Sequence, residues 1–163
     1  MNLIMPVIVL FYKSNGLTMQ DIFLLQSAYS LTLMTLEIPT GYLADKIGRK
    51  QSILIGASLG FIGYLVYSFS YGFWYFVVAE VILGLSQSLV SGADSAMLYD
   101  TLAAAKQNDK YTRMEGRITS IGNFGEAFAG IIGGLLAVAS LRTPFYVQTC
   151  VALIALPAAL ILM

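Results

Sequence analysis

Apolar residues in this chain fall into long blocks separated by short polar breaks. A helix needs about 20 predominantly apolar residues to cross about 30 Å of hydrocarbon. Residues 20–44, 51–71, 73–105, 113–141 and 144–163 read as five such spans, with Glu37 and Pro39 the only breaks between Ile22 and Leu43 of the first. A shorter block, residues 3–12, would make about 15 Å of helix at ~1.5 Å per residue. No positive charge precedes it and no small-residue cleavage site follows, so a signal peptide does not fit. It reads as the remaining half of a first spanning helix. The last block opens at Pro144, a favourable first-turn residue, and is still apolar at Met163. Both ends of the array therefore read as cut. The pattern predicts an all-α, polytopic transmembrane bundle occupying residues 1–163 as one unit.

The breaks are short and differ in kind. Residues 13–20 hold the turn-forming pair Asn15-Gly16, residues 45–51 form a compact charged loop, and Tyr71-Gly72 is a tight turn. Lys106 to Arg117 reads as a polar interfacial helix or linker, and Leu141-Arg142-Thr143 as a minimal turn. Lys46, Arg49 and Lys50 occupy one break; Lys106, Lys110, Arg113 and Arg117 occupy the break two helices later. By helix counting these lie on one side of the membrane, leaving Lys13 and Arg142 for the other. The positive-inside rule then places residues 45–51 and 106–117 in the cytoplasm of a plasma (inner) membrane.

Composition narrows the class. Of 163 residues, 58% are hydrophobic and 11% charged, with a mean hydropathy of +0.77. Soluble domains carry about 25% charged residues, so a cytosolic enzyme and a disordered segment are both disfavoured. Nine Lys and Arg balance nine Asp and Glu, which leaves no basic footprint for nucleic acid. The single cysteine, Cys150, cannot form an internal disulfide. There is no histidine, so histidine-based triads, metal sites and proton relays are absent. No metal or organic cofactor is called for.

One break has a grammar of its own: Gly41-x-x-x-Asp45-x-x-Gly48-Arg49-Lys50. A solvated, positively charged turn accounts for Lys46 and Lys50. It does not account for two glycines that allow close approach or special backbone angles, an acid suited to helix amides or a cation, and an arginine fork suited to a carboxylate. Glu37-Ile38-Pro39-Thr40 precedes the loop. This signature resembles that of the major facilitator superfamily between its second and third helices. The resemblance implies the N-terminal six-helix half of a transporter whose substrate path lies between two halves. It also implies that the loop latches a cytoplasmic gate, with Asp45 capping a helix of the other half and Arg49 pairing with an acid at the end of the fourth helix. Asp100 stands there. The partner would be the missing C-terminal half or a second copy of the chain.

Two further resemblances are incomplete. Gly116, Gly125, Gly133 and Gly134 fall at the spacing of the glycine-rich pattern of antiporters in the fifth helix, but Ala129-Gly130 replaces its Gly-Pro pair. Gly130-x-x-x-Gly134, with Gly125 and Gly133, also reads as a small-residue packing face. In the fourth helix the family often carries an arginine four residues before a glycine; before Gly84 that position is Glu80. Gly56-Ala57-Ser58-Leu59-Gly60 formally matches a serine-hydrolase elbow. With no histidine base and no preceding strand it reads instead as Gly-x-x-x-Gly helix packing.

Charge within a bilayer is costly, so intramembrane acids need a reason. Glu80, Gln87 and Asp94 are spaced by seven, a rotation of about 700°, so they fall within about 40° on one helix face. Ser91 lies on the same stripe. Asn123 and Glu126 sit in the fifth span, and Gln26, Ser30 and Glu37 make a weaker stripe on the second. Such stripes read either as interhelical hydrogen bonding or as a substrate path whose carboxylates carry protons. Glu80 is expected near the outer interface, and Tyr64, Tyr67, Tyr71, Trp74 and Tyr75 as a mainly interfacial aromatic belt. The function expected is secondary transport of a small solute by alternating access, with proton-coupled efflux as its finer form. The alternative is a non-transporting membrane receptor or assembly subunit on the same scaffold.

Overall fold

The computed structural model describes residues 3–161. It is an all-α bundle: α1 (Ile8–Ser14), α2 (Met19–Ile47), α3 (Arg49–Phe69), α4 (Phe73–Ala104), α5 (Tyr111–Ala139) and α6 (Thr143–Ile161), with one 3-10 turn at Asn108–Lys110 before α5. Helices α2 to α5 are each long and apolar enough to cross a membrane, and Thr143–Pro157 of α6 is a shorter apolar stretch. Residues 162 and 163 of the expected last span lie outside the described residues. The protein is an integral, multi-pass membrane protein.

Glycines set the breaks where the chain must turn at once. The expected seven-residue charged loop is instead a single residue: α2 runs through Asp45 and Lys46 to Ile47, and α3 begins at Arg49. Gly48, at φ +98°, is both the end of one helix and the start of the next, a conformation that side chains with a Cβ rarely adopt. Gly72, at φ +96°, opens α4 in the same way. After the Asn15-Gly16 turn, α2 starts with a capping box: Asp21 N donates to Thr18 Oγ1, and Thr18 N donates to Asp21 Oδ2.

The first segment differs from expectation. Residues 3–7 form bends and turns, and the helix spans only Ile8–Ser14. Tertiary anchors take the place of the helical ladder, since Leu3 N donates to Gln148 Oε1 of α6 at 3.1 Å. The Leu3 carbonyl meanwhile rests directly on Gly133 of α5.

Helix α4 is the hub, packing most extensively on α3 and α2, while α6 lies against α3 and α5 touches its neighbours lightly. The α3–α4 seam depends on Gly56, Gly60 and Gly63. A Cβ at Gly56 would lie 2.7 Å from Val90 Cγ2, at Gly60 2.9 Å from Ser86 Oγ, and at Gly63 2.7 Å from Leu83 Cδ2. Close approach lets Ser86 Oγ donate to Gly56 O at 2.8 Å and Ser52 Oγ to Leu89 O at 3.2 Å. The Gly56-x-x-x-Gly60 repeat is a packing face, as small-residue interfaces in membranes are. On α5 the packing expectation is corrected. Gly133 meets Leu3, whereas a Cβ at Gly130 or Gly134 would meet nothing within 4 Å among the described residues. Their face of α5 is not pressed against another helix, and Phe124, Phe128, Ile131, Leu135 and Val138 of α5 are exposed.

Candidate functional site

All six helices meet around a cavity of about 500 Å³. The small residues at the α2–α4 and α3–α4 seams bring those helices together, while the short α1 and lightly packed α5 leave space between them. Gln26 and Tyr29 of α2, Tyr64 of α3, Glu80 and Gln87 of α4, and Glu126 of α5 give the cavity its polar wall. Among the described residues no lysine or arginine lines it. Two carboxylates, Glu80 buried and Glu126 exposed, thus face one polar-walled cavity without a cationic side chain among the described residues, an arrangement suited to a cation or a proton.

The stripe along α4 is divided. Glu80 and Gln87 reach the cavity; Ser91 and Asp94 do not, and Asp94 is exposed. Helical periodicity places them on one face, but Asp94 lies about 21 Å along the helix from Glu80 at ~1.5 Å per residue. Asn123, Glu37, Glu126 and Gln26 are all exposed; of these Glu126 and Gln26 line the cavity and Asn123 and Glu37 do not. Gly125 is half-buried on α5.

Glu80, in the third turn of α4, is enclosed by its neighbours. It is 5% exposed. Tyr12 Oη and Tyr67 Oη each donate to Glu80 Oε1 at 2.7 Å, and the two phenolic oxygens also hydrogen-bond each other. Tyr12 and Tyr67 belong to a buried aromatic cluster with Phe11, Phe76 and Phe145. The aromatic belt is corrected accordingly: Tyr71, Trp74 and Tyr75 are exposed, Tyr67 is in the core and Tyr64 lines the cavity. Nothing in the sequence separates Tyr67 from Tyr71, since both stand at the end of an apolar helix; only the packing of α1 and α6 decides which is enclosed.

Charge concentrates at two opposite places. At the α2–α3 junction Arg49 Nη2 lies 3.1 Å from Asp100 Oδ2 and 3.4 Å from Asp45 Oδ1. Arg49 Nη1 is buried without a hydrogen-bond partner. Lys50 is in the first turn of α3 and exposed. At Gly41 α2 crosses α4, its Cα an ordinary 3.6 Å from where a Cβ on Gly92 would be, while a Cβ on Gly41 itself would meet nothing within 4 Å among the described residues. Thr40 and Ser88 hydroxyls bond at 2.6 Å on the same crossing. At the other end, Arg142 donates from Nη1 to Ser68 O, and from Nη2 to Asn15 Oδ1 and Ser70 O, at 2.8 to 3.1 Å. Its guanidinium carbon sits 3.9 Å from the Tyr71 ring centroid and 5.3 Å from that of Phe11. Sequence reasoning saw Arg142 only as a stray cation; its role is to join three interhelical turns.

These features define a class: a polytopic α-helical membrane protein with a polar cavity enclosed by its helices and a charged junction at one end. The sequence matches the profile of the Major Facilitator Superfamily across residues 1–163, and the chain belongs to that family. Among its relatives is the quinolone resistance protein NorA of Staphylococcus aureus (strain MRSA252), 31% identical over 144 residues, covering 88% of this chain and 36% of that protein. An uncharacterized transporter of Buchnera aphidicola subsp. Schizaphis graminum is 33% identical over 101 residues, covering 62% of this chain and 23% of that protein. The chain thus spans about a third of the length of the NorA relatives it matches.

Proposed function

We propose that this chain is the N-terminal helical half of a secondary transporter that exports a small solute by alternating access, with proton coupling. The observation that carries the reading is the cavity. It is enclosed by all six helices, has room for a small organic molecule, and is lined by Glu80 and Glu126 with no cationic side chain among the described residues. Carboxylates within a membrane bundle mark ion and substrate pathways. The Arg49–Asp100 pair supplies the second requirement, a junction between helices that can open and close. The end bearing Arg49 and residues 106–117 faces the cytoplasm of the plasma membrane, in keeping with the distribution of Lys and Arg.

The exposed apolar side chains of α5 are suited to lipid or to a further helical unit. The greater length of the relatives supports a C-terminal half in that place. Assembly of two copies of the chain is the competing arrangement.

The test is pH-driven solute flux in proteoliposomes holding the full-length gene product, with Glu126→Gln as the diagnostic variant. Wild-type protein is expected to move solute against its gradient when the lumen is acidified. Glu126→Gln is expected to change the pH profile of that flux. Binding without any movement of solute would overturn the transport reading in favour of a receptor.

A further inference from the structure

We propose that the exposed face of α5 holds one anionic phospholipid, its headgroup on Lys110, Arg113 and Arg117 and an acyl chain along Ile121, Phe124 and Phe128. These six residues recur at spacings of three and four, so they fall within about 80° of one another around the helix. All six are exposed. The cations occupy the first ~10 Å of the face at ~1.5 Å per residue, and from Ile121 onward it is apolar. Its direction is set by what α5 turns to the bundle. Tyr111 meets Tyr99 of α4 edge-on, ring centroids 5.7 Å apart. Glu115, one turn later on the same side of α5, is half-buried, and Glu126 on that side lines the cavity. The cationic face lies opposite and points away from the bundle.

The three cations lack a counter-charge. Among the described residues Arg113 and Arg117 have neither a hydrogen bond nor an ion pair, and Lys110 Nζ reaches only the uncharged Gln107 Oε1, at 3.2 Å. Asp109, next to Lys110 in the chain, pairs with none of them among the described residues. The first turn of α5 holds no acid, and no side chain caps it. Positive charge is thus gathered at the positive end of a helix dipole, where an anion is favoured and a cation is not.

The two parts of the face together select the occupant. The hydrocarbon of a bilayer is about 30 Å thick, with about 5–8 Å of headgroup on each side. A cationic band of that order of height, followed by an exposed apolar stretch, matches a molecule with a negative head and a hydrocarbon tail. Lys and Arg at this boundary draw anionic headgroups. A lipid chain reaches about 15 Å to the midplane, ten residues of helix, which from Ile118 ends at Phe128. Ile131, Leu135 and Val138 beyond it stay available to a further helical unit. A free phosphate would satisfy the cations and leave the apolar part of the face without a role. The site depends on insertion of the bundle in a membrane and not on the transport reading.

Native mass spectrometry of the full-length gene product tests the site, with phosphatidylglycerol titrated against phosphatidylcholine of the same acyl chains. The wild type is expected to bind the first phosphatidylglycerol at least about tenfold more tightly, since each cation beside an anionic headgroup contributes about fivefold. Arg113→Gln should lose about fivefold and Arg113→Lys should recover it. Substituting Lys110→Gln, Arg113→Gln and Arg117→Gln together should abolish the preference. Lys46→Gln removes an exposed cation outside this face and should leave the preference unchanged. Arg113 and Arg117 bond to nothing in the bundle, so their variants should keep the unfolding midpoint, and the single variants serve if the triple does not insert. Glycerol phosphate, a headgroup without chains, should not displace the lipid; displacement at equal concentration would mark an anion site only and overturn the lipid assignment. A preference that survives the triple substitution overturns the proposal. So does a wild type with no preference, which would leave the face to an acidic segment of the rest of the protein.

Discussion

The two ends of the bundle each hold one arginine at a place where helices turn, and they use it in opposite ways. Arg142 spends its fork on two backbone carbonyls and an asparagine oxygen, beneath the ring of Tyr71. Arg49 faces two carboxylates whose side chains are 65% and 59% exposed, and one of its nitrogens is buried without an acceptor. A guanidinium bonded to main-chain carbonyls can release them only by leaving polar groups unpaired, so that end is fixed. A guanidinium held by exposed carboxylates, with a donor unused, exchanges partners at little cost. The same side chain thus makes a clamp at one end and a releasable contact at the other, and the difference lies in the partners.

The largest effect should come from breaking the clamp. Arg142→Ala removes three charge-assisted hydrogen bonds and leaves the Ser68 and Ser70 carbonyls unpaired, an expected loss of about 3 kcal/mol. Thermal unfolding in detergent measures it. Arg142→Lys should recover less than half, because an ammonium cannot reproduce the planar fork under Tyr71. Full stability in Arg142→Ala would show that the two ends do not differ in the way described.

The turning glycines sharpen the same contrast. Gly48 and Gly72 have φ of +98° and +96°, and alanine at either should cost about 2 kcal/mol through backbone strain. The stability effects are expected to match, while flux should fall in Gly48→Ala, beside Arg49, and not in Gly72→Ala. Equal flux in the two variants would remove the functional distinction between the ends.

How far these features could be read from the sequence depends on the range of the interaction. The pairing of Arg49 with Asp100 is legible only through the resemblance of the charged signature to the family, and the structure puts the two side chains 3.1 Å apart. The α3–α4 seam is legible in Gly56 and Gly60, since a small-residue repeat needs only a neighbouring helix to pack against. Gly130 and Gly134 carry the same repeat with no neighbour pressed on them, so the repeat alone does not say which face is used. Periodicity put Glu80 and Gln87 on one face with Asp94, but the length of α4 separates Asp94 from the cavity. The Tyr12–Glu80–Tyr67 contact joins residues 55 and 68 positions apart in sequence, and Arg142 reaches Asn15 across 127. Each is a product of how α1 and α6 close over the core, for which no local pattern stands.

The smallest stability effect belongs to Arg49, and it is the most telling. Its pairs with Asp45 and Asp100 are exposed on the acidic side, and exposed pairs contribute about 0.2–1 kcal/mol. Arg49→Ala and Asp100→Asn should therefore leave the unfolding midpoint nearly unchanged. A double-mutant cycle between them should give a coupling within that range, weaker still at high salt as screening shortens the reach of exposed charges. Flux is expected to fall far more than stability in both variants, and in Asp45→Asn. A structural salt bridge would lose stability and transport together; a latch loses transport alone, because its energy matters only in the difference between open and closed states. Normal flux in Arg49→Ala and Asp45→Asn would return the junction to the status of a solvated turn, and would leave Arg142 as the one arginine on which the bundle depends.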